Sequence, residues 1–276
     1  MEGWMNRCTL CPRRCGADRT VSVGRCGVGE QVRLARAALH FWEEPCVSGE
    51  EGSGTVFFSG CSLGCVFCQN YQISAGHFGR DIPVERLAEI FLELQEQKAN
   101  NINLVTGGHY IPQIVRALDL VRGKLHIPVV YNSSGYETVE ALRMLKGYVD
   151  VYLPDLKYRS PERGARYSHA PDYFAVASKA ILEMLDQVGP VRFDGQGMIQ
   201  KGLIVRHMVM PNGVEDSMDI LTWIAGNLPL DDILVSVMSQ YTPFYRSGEY
   251  PEIDRRLTAQ EYDRVLDWLD CMGIEN

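Results

Sequence analysis

Short apolar runs alternate with helical patterns along the chain from residue 55 onward. The runs read as strands cover residues 55–60, 102–106, 129–133, 149–156, 203–210 and 234–240. Between and after them, apolar residues recur at spacings of three and four, the period of one helix face. These helical segments cover residues 84–99, 111–122, 139–145, 173–187, 218–225 and 259–272. Six strand–helix repeats predict an α/β fold with a parallel sheet covered by helices.

Six units fall short of the eight that close a full barrel of alternating strands and helices. An open partial barrel and a doubly wound sheet both fit the pattern, and periodicity does not choose between them. In either arrangement, functional side chains gather in the loops that follow the carboxyl ends of the strands. The sequence therefore directs attention to those loops.

The composition is that of a globular protein, with 46% apolar and 22% charged residues. A net charge of −8 argues against a general surface for nucleic acid or anionic membrane. No run approaches the roughly 18 apolar residues of a membrane span, and the first residues do not resemble a secretory signal. These features predict a cytoplasmic protein. In that compartment its nine cysteines are expected to be metal ligands or buried thiols rather than disulfides.

Three cysteines follow the first predicted strand on one short loop: Cys61, Cys65 and Cys68. Three thiolates at this spacing suit three corners of an iron–sulfur cube. Gly60 and Gly64 let the backbone curl tightly around such a cluster. No fourth cysteine follows closely, which would leave one iron open to another ligand. The alternative is a zinc-binding or merely buried loop.

Polar residues follow the next strands in turn. The second is followed by Thr106-Gly107-Gly108-His109, which a plain turn would also explain. Asn132 and Ser134 end the third strand, where short polar side chains reach a ligand or simply form a loop. On the fourth strand, alternation sends Asp155 and Lys157 to the same face.

A separate group of four thiols lies near the start of the chain, in Cys8-x2-Cys11-Pro-x2-Cys15 followed by Cys26. Such a group predicts a second metal site, either zinc or an iron–sulfur cluster, because both accept four thiolates. A redox or disulfide role is the alternative. Cys46 and Cys271 stand alone and are read as ordinary residues.

The loop spacing C-x3-C-x2-C, with Phe67 just before the last cysteine, resembles the signature of the radical S-adenosylmethionine (SAM) superfamily. The resemblance covers residues 55–241 and implies a partial barrel of six strand–helix units. It also implies a [4Fe–4S] cluster on the three cysteines, whose open iron is chelated by SAM. One electron then cleaves SAM to a 5′-deoxyadenosyl radical, which removes a hydrogen atom from a substrate.

The resemblance also assigns SAM contacts to the loops. Gly107, Gly108 and His109 lie where the superfamily has a Gly-Gly-Glu motif, with His109 replacing the acid. Asn132 and Ser134 would reach the ribose. Lys157 would pair the SAM carboxylate and Asp155 would hold that lysine, in an Asp-Leu-Lys triplet similar to that of pyruvate formate-lyase activating enzymes. His207, on the fifth strand, would also contact SAM, although a lone strand histidine is often a core residue.

The whole chain resembles homologues of pyruvate formate-lyase activating enzyme that carry a four-cysteine head. It divides into a cysteine-rich extension (1–50), a catalytic core (51–241) and a C-terminal tail and helix (242–276). The leading hypothesis is hydrogen abstraction, with a glycine of a partner enzyme as the possible target. One alternative is radical modification of a small molecule, peptide or nucleoside. Another is a non-catalytic electron-transfer or metal-binding protein.

The same resemblance implies partners as well as cofactors. A one-electron reductant such as flavodoxin or ferredoxin is expected, and a protein substrate is possible. No membrane partner is expected and nucleic acid is disfavoured. The residues themselves identify neither a catalytic side chain nor a substrate.

Overall fold

The computed structural model describes residues 3–275. Its strands are β1 Val32–His40, β2 Ser53–Phe58, β3 Arg80–Ile82, β4 Ile102–Val105, β5 Val129–Ser133, β6 Val151–Pro154, β7 Arg192–Phe193, β8 Ile199–Met208 and β9 Leu234–Met238. Its helices are α1 Gly3–Asn6, α2 Pro45–Ser48, α3 Tyr71–Ser74, α4 Val84–Glu96, α5 Ile111–Leu120, α6 Val139–Arg143, α7 Pro161–Ser168, α8 Tyr173–Val188, α9 Val214–Asn227 and α10 Ala259–Cys271. Short 3-10 turns cover Gly108–Tyr110, Leu230–Asp232 and Ser247–Glu249.

Six parallel strands form the centre of the sheet, in the order β2, β4, β5, β6, β8, β9. The order follows the chain without the reversal that marks a doubly wound sheet. Helices connect successive strands, so the predicted partial barrel of six strand–helix units is confirmed.

Three strands were not predicted: β1, β3 and β7 are antiparallel additions to the sheet. In β1, Arg33 and Arg36 interrupt the apolar positions, and several of its residues are only partly buried. Such a strand lacks the continuous apolar run of a strand covered on both faces. The sequence signal is weak for this physical reason.

The sheet separates a large outer core from a small inner one. The outer core packs the helices against the outward face of the strands. The inner core lies within the barrel and consists of Val47, Val130, Val151, Leu153, Ile199 and Ile204. Its position means that α2, which carries Val47, closes the barrel at the amino ends of the strands. Above this layer, the inward positions become polar.

The cysteine-rich head rests on loops at the carboxyl ends of the central strands. The Thr138 hydroxyl donates to the Leu10 carbonyl at 3.0 Å, and the Cys61 amide donates to the Cys26 carbonyl at 3.2 Å. Arg19 is 1% exposed and donates to the His109 carbonyl at 2.5 Å. The predicted extension 1–50 also includes β1 and α2, which belong to the sheet and the inner core. The division into three segments stays a prediction.

At the other end of the chain, α10 packs beside α9. Arg264 pairs with Glu215 at 2.9 Å, and the Trp268 indole donates to Thr222 at 3.1 Å. A capping box joins Thr258 and Glu261 at the start of α10. Between residues 3 and 275, no helix has the length and apolar character needed to cross a membrane.

Candidate active site

A cavity of about 430 Å³ opens at the carboxyl ends of the parallel strands and extends into the barrel. This is the volume range of small-molecule sites. Many of the residues singled out in the sequence line it, namely Cys61, Cys65, Phe67, Cys68, Asn132, Ser134, Asp155 and Lys157. The structure thus brings residues from three different strands and the loops after them into one site.

The three-cysteine loop leaves β2 through a tight turn. Gly60 has φ +87°, and a Cβ there would lie 2.6 Å from the Cys26 carbonyl oxygen, so only glycine fits. Gly64 has φ +69° with open space around it. Glycine suits position 64 because of this backbone conformation, not because a side chain would clash with a neighbour.

Each sulfur of the loop accepts a hydrogen bond. The Leu63 amide donates to Cys61 Sγ at 3.4 Å, and the Ser74 hydroxyl donates to Cys68 Sγ at 3.3 Å. The shortest contact runs from the Ser168 hydroxyl to Cys65 Sγ, at 2.9 Å. Donors aimed at sulfur stabilise thiolates, the form that binds metal.

Two of the three thiols, Cys61 and Cys65, are protonated at neutral pH. Burial raises the pKa of Cys65 to about 12, and it also raises the pKa of Cys61. Metal binding would displace these protons and remove the cost of a buried free thiolate. No three His, Cys, Asp or Glu side chains between residues 3 and 275 converge on a single-ion site. A cube does not require such convergence, because each thiolate binds a different iron.

A charged wall faces the three cysteines across the cavity. Lys157 Nζ lies 2.5 Å from Asp155 Oδ2, and Arg206 Nη2 lies 2.9 Å from Asp155 Oδ1. Burial opposes the charge on Asp155, but Arg206 and Lys157 together hold its pKa below the usual range. For Lys157, burial works against the charge and Asp155 outweighs it, so its pKa is raised. Both groups are ionised at neutral pH.

The wall continues deeper into the barrel through Glu43 and Asn132. Arg206 Nη1 lies 3.3 Å from Glu43 Oε2, and Arg206 Nη2 donates to Asn132 Oδ1 at 2.7 Å. Burial raises the pKa of Glu43, although Arg206 opposes the shift. Arg206 therefore joins three side chains that the sequence places far apart.

Arg206 and Glu43 were not among the predicted site residues. Arg206 was detectable by alternation, because it lies one residue before His207 and its side chain shares the inward face with Ile204. Glu43 lies before α2, in a segment with no strong strand or helix pattern. Its approach to Arg206 depends on α2 entering the barrel, which local sequence does not reveal.

The two predicted histidines lie outside the cavity lining. His207 faces the outer core, where its ring nitrogens contact the Leu156 carbonyl at 2.7 Å and the Ser217 hydroxyl at 2.8 Å. His109 Nε2 contacts the Ser59 carbonyl at 2.8 Å. Burial lowers the pKa of both rings. Their side chains are occupied within the protein, so the geometry does not support the predicted SAM contacts.

The two glycines before His109 also sit behind the cavity surface. A Cβ on Gly107 would lie 2.6 Å from Ile114, and one on Gly108 would lie 2.9 Å from the Glu137 carboxylate. Thr106, just before them, lines the cavity with φ +58°. This loop therefore reaches the cavity through Thr106, and not through the two glycines or His109.

Phe67 lies within the three-cysteine loop and is 5% exposed. Its ring lies 5.7 Å from that of Tyr241 and 6.5 Å from that of Tyr158. These aromatic contacts hold the three-cysteine loop against residues that follow β6 and β9.

The head cysteines form a second group, apart from the cavity. Cys8 and Cys26 are buried, Cys11 is partly buried and Cys15 is exposed. Gly24 lies between two of the sulfurs, because a Cβ there would be 3.3 Å from that of Cys26 and 3.6 Å from that of Cys15. Burial raises the pKa of Cys11 to about 11. In the part of the chain that the structure describes, no three His, Cys, Asp or Glu side chains are arranged as a single-ion site, so the second metal site of the head stays a prediction.

Residues 55–221 match the model of the radical SAM superfamily. The chain belongs to the radical SAM superfamily. It is also 35% identical to the uncharacterized protein MJ0674 of Methanocaldococcus jannaschii, over 97% of this chain and 75% of that protein. The superfamily binds a [4Fe–4S] cluster and SAM, cleaves SAM by radical chemistry and draws on a one-electron reductant, so this chain is an enzyme of that kind.

Two solved structures align with this chain at low sequence identity. Methylornithine synthase aligns with a TM-score of 0.48 at 14% identity, covering 76% of this chain and 59% of that one. Streptococcus suis SuiB bound to S-adenosylmethionine aligns with a TM-score of 0.49 at 11% identity, covering 76% and 44% respectively. The chain thus spans about half the length of these two proteins.

Proposed function

We propose that Cys61, Cys65 and Cys68 hold the [4Fe–4S] cluster and that the charged wall opposite holds SAM for hydrogen abstraction. The observation that carries the proposal is the shared cavity of these two groups, which come from different loops. When bound, the cluster and SAM supply a 5′-deoxyadenosyl radical. The residues of this chain bind and orient the reactants.

In this proposal, Lys157 binds the carboxylate of SAM. Its ammonium is already oriented by Asp155, which is itself fixed by Arg206. Asn132 and Ser134 line the same cavity and offer polar groups to the ribose. A preformed arrangement of this kind lowers the ordering cost of binding.

We propose further that the hydrogen is taken from a glycine of a partner enzyme, with flavodoxin or ferredoxin as reductant. The support is the resemblance of Asp155-Leu156-Lys157 to the triplet of pyruvate formate-lyase activating enzymes. A small-molecule substrate is the second candidate; the cavity volume of about 430 Å³ is shared with the proposed cluster and SAM and does not choose between the two substrates.

Anaerobic reconstitution with iron, sulfide, SAM and dithionite tests the chemistry. We expect 5′-deoxyadenosine to form only when the cluster is present. A reconstituted protein that binds a cluster but never produces 5′-deoxyadenosine would contradict the proposed reaction.

Isotope transfer separates the two substrate candidates. Extracts of cells grown with dideuterated glycine are divided into protein and small-molecule fractions and supplied to the enzyme. Deuterium in 5′-deoxyadenosine from the protein fraction supports a glycine of a partner enzyme. Products labelled only by the small-molecule fraction would favour the second candidate.

A further inference from the structure

Arg13 connects the head to the loop that carries Cys61. It lies between two cysteines of the head, and its Nε donates to the Ser62 carbonyl at 2.8 Å. Its Nη2 lies 3.5 Å from the Leu63 carbonyl. The guanidinium also stacks 5.1 Å from the ring centre of Tyr136. A single side chain of the head therefore contacts the middle of the three-cysteine loop.

The same guanidinium caps the carboxyl end of α7. Its Nη2 donates to the Ser168 carbonyl at 2.8 Å, and its Nη1 donates to the carbonyl of His169. The last carbonyls of a helix lack partners within the helix and favour a nearby cation. His169 ends α7 in the left-handed conformation, with φ +52°, which turns these carbonyls toward Arg13.

Ser168 in turn contacts a proposed cluster ligand. Its hydroxyl donates to Cys65 Sγ at 2.9 Å, and the Tyr158 hydroxyl lies 2.9 Å from the Ser168 oxygen. Ser168 is fully buried, so its hydroxyl has no access to water. Arg13 holds the backbone of the residue whose side chain donates to the sulfur.

The charge on Arg13 is not cancelled nearby. Among residues 3–275, it has no carboxylate within salt-bridge distance, and the oxygens around it are backbone carbonyls. A guanidinium binds several acceptors at once through its rigid fork, which a lysine ammonium does not reproduce. Positive charge and hydrogen bonds to sulfur both raise the reduction potential of a thiolate-bound cluster.

We propose that Arg13 is a positioning residue for the cluster. It fixes the Cys61–Cys68 loop to α7 so that Ser168 donates to Cys65, and the head thereby sets the potential at which the cluster accepts its electron. Outer hydrogen bonds of this kind tune metal sites without contacting the metal. The inference rests on the proposed cluster ligands but not on the identity of any metal in the head.

The test uses the full-length chain with Arg13→Met, Arg13→Lys, Ser168→Ala and the Arg13→Met/Ser168→Ala double variant. Arg14→Met is the matched control, because Arg14 is exposed on the same loop. The first readout is the midpoint potential of the reconstituted cluster, from a titration followed by electron paramagnetic resonance. The second is hydrogen exchange of the segment 60–68 in the protein without iron.

Ser168→Ala and Arg13→Met are each expected to shift the potential to more negative values. The double variant should shift by less than the sum of the two, because the part of the Arg13 effect that depends on its backbone contacts acts through Ser168. Arg13→Met and Arg13→Lys should speed exchange in the loop by about tenfold, the effect of losing about one net hydrogen bond. Arg14→Met should match the wild type in both measurements.

The proposal is overturned if Arg13→Met leaves both potential and exchange unchanged, or if the two shifts add fully. It is also overturned if Arg13→Lys behaves as wild type, since charge alone would then suffice. Should Arg13→Met fail to fold, Arg13→Lys and Ser168→Ala still decide the matter. A wild-type protein that assembles no cluster would instead refute the proposed ligands, while hydrogen exchange still tests the Arg13 contacts.

Discussion

The two faces of the central sheet differ in what their polar residues do. On the inner face of the upper barrel, Asp155 and Arg206 meet across strands and border an open cavity. On the outer face, the neighbouring His207 is enclosed between a carbonyl and a serine hydroxyl. One step along a strand therefore separates a group available to a ligand from one that holds the fold together.

The ionisation of buried polar groups also differs between the two faces. The inward Asp155 and Lys157 keep their charges because opposite charges face them, whereas burial lowers the pKa of the outward His207 and keeps its ring neutral. A charged inner face suits a zwitterionic and cationic ligand such as SAM. A neutral outer face suits packing against helices. The comparison predicts that inner-face changes alter binding and that outer-face changes alter stability.

The largest expected effect comes from the thiols that face the inner cavity. Replacing Cys61, Cys65 and Cys68 together by Ala should abolish the oxygen-sensitive cluster, because no other thiols line the cavity. Iron content and 5′-deoxyadenosine formation measure the loss. Persistence of both in the triple variant would show that the cluster is held elsewhere.

That triple variant also tests the head. Any zinc or iron that it retains would belong to Cys8, Cys11, Cys15 and Cys26, which the substitutions leave intact. Metal analysis of the purified variant measures this. A variant with neither metal would favour buried or redox-active thiols in the head.

The next effect concerns Lys157 on the charged wall. Lys157→Met keeps much of the stem volume and removes the ammonium, so SAM binding should weaken by about 1.5–3 kcal/mol, the range for a hydrogen bond to a charged group. This corresponds to roughly ten- to 150-fold in affinity, measured by calorimetry on the reconstituted protein. Cluster assembly should be unchanged.

Lys179→Met is the control for this experiment, because Lys179 is exposed on α8. Normal SAM affinity in Lys157→Met would show that Lys157 does not bind SAM. Loss of the cluster in that variant would instead indicate a structural role.

An outer-face substitution should show the opposite pattern. His207→Leu removes both ring contacts and should lower the free energy of unfolding by about 1–3 kcal/mol, the cost of leaving buried polar groups unpaired. SAM affinity should remain near that of the wild type. Denaturant unfolding measures the stability and the same calorimetry measures the affinity for SAM. A large loss of SAM affinity in a stable variant would show that His207 contributes to SAM binding.

The same contrast between local pattern and long-range packing decides which parts of the fold and of the candidate site can be predicted from the sequence. All six central strands and one helix after each follow from apolar periodicity, whereas α1, α2, α3 and α7 were not predicted. The three-cysteine loop is distinguished by its spacing alone. Alternation correctly places Asp155 beside Lys157. The resemblance placed His207 at the site, whereas alternation puts the neighbouring Arg206 on the inward face that lines the cavity. Glu43 and the hydrogen bond from Ser168 to Cys65 depend on long-range packing, which local patterns do not encode.

The smallest expected effect is a pH dependence that arises at His109, in the short turn after β4. Burial lowers the pKa of His109 from its ordinary value of 6.5 to about 4, and nearby Arg19 and His77 act in the same direction. Between these values the unfolded chain binds a proton that the folded chain does not. The stabilisation is therefore complete above pH 6.5 and is lost as pH falls toward 4. From pH 7 to pH 5, this group should lower the free energy of unfolding by about 1–2 kcal/mol.

Carboxylates also titrate in this range, so the measurement compares denaturant unfolding of the wild type with that of His109→Gln. Glutamine retains a donor for the Ser59 carbonyl and does not titrate. The variant should show a shallower loss of stability with falling pH, and identical slopes for the two proteins would mean that His109 does not control it.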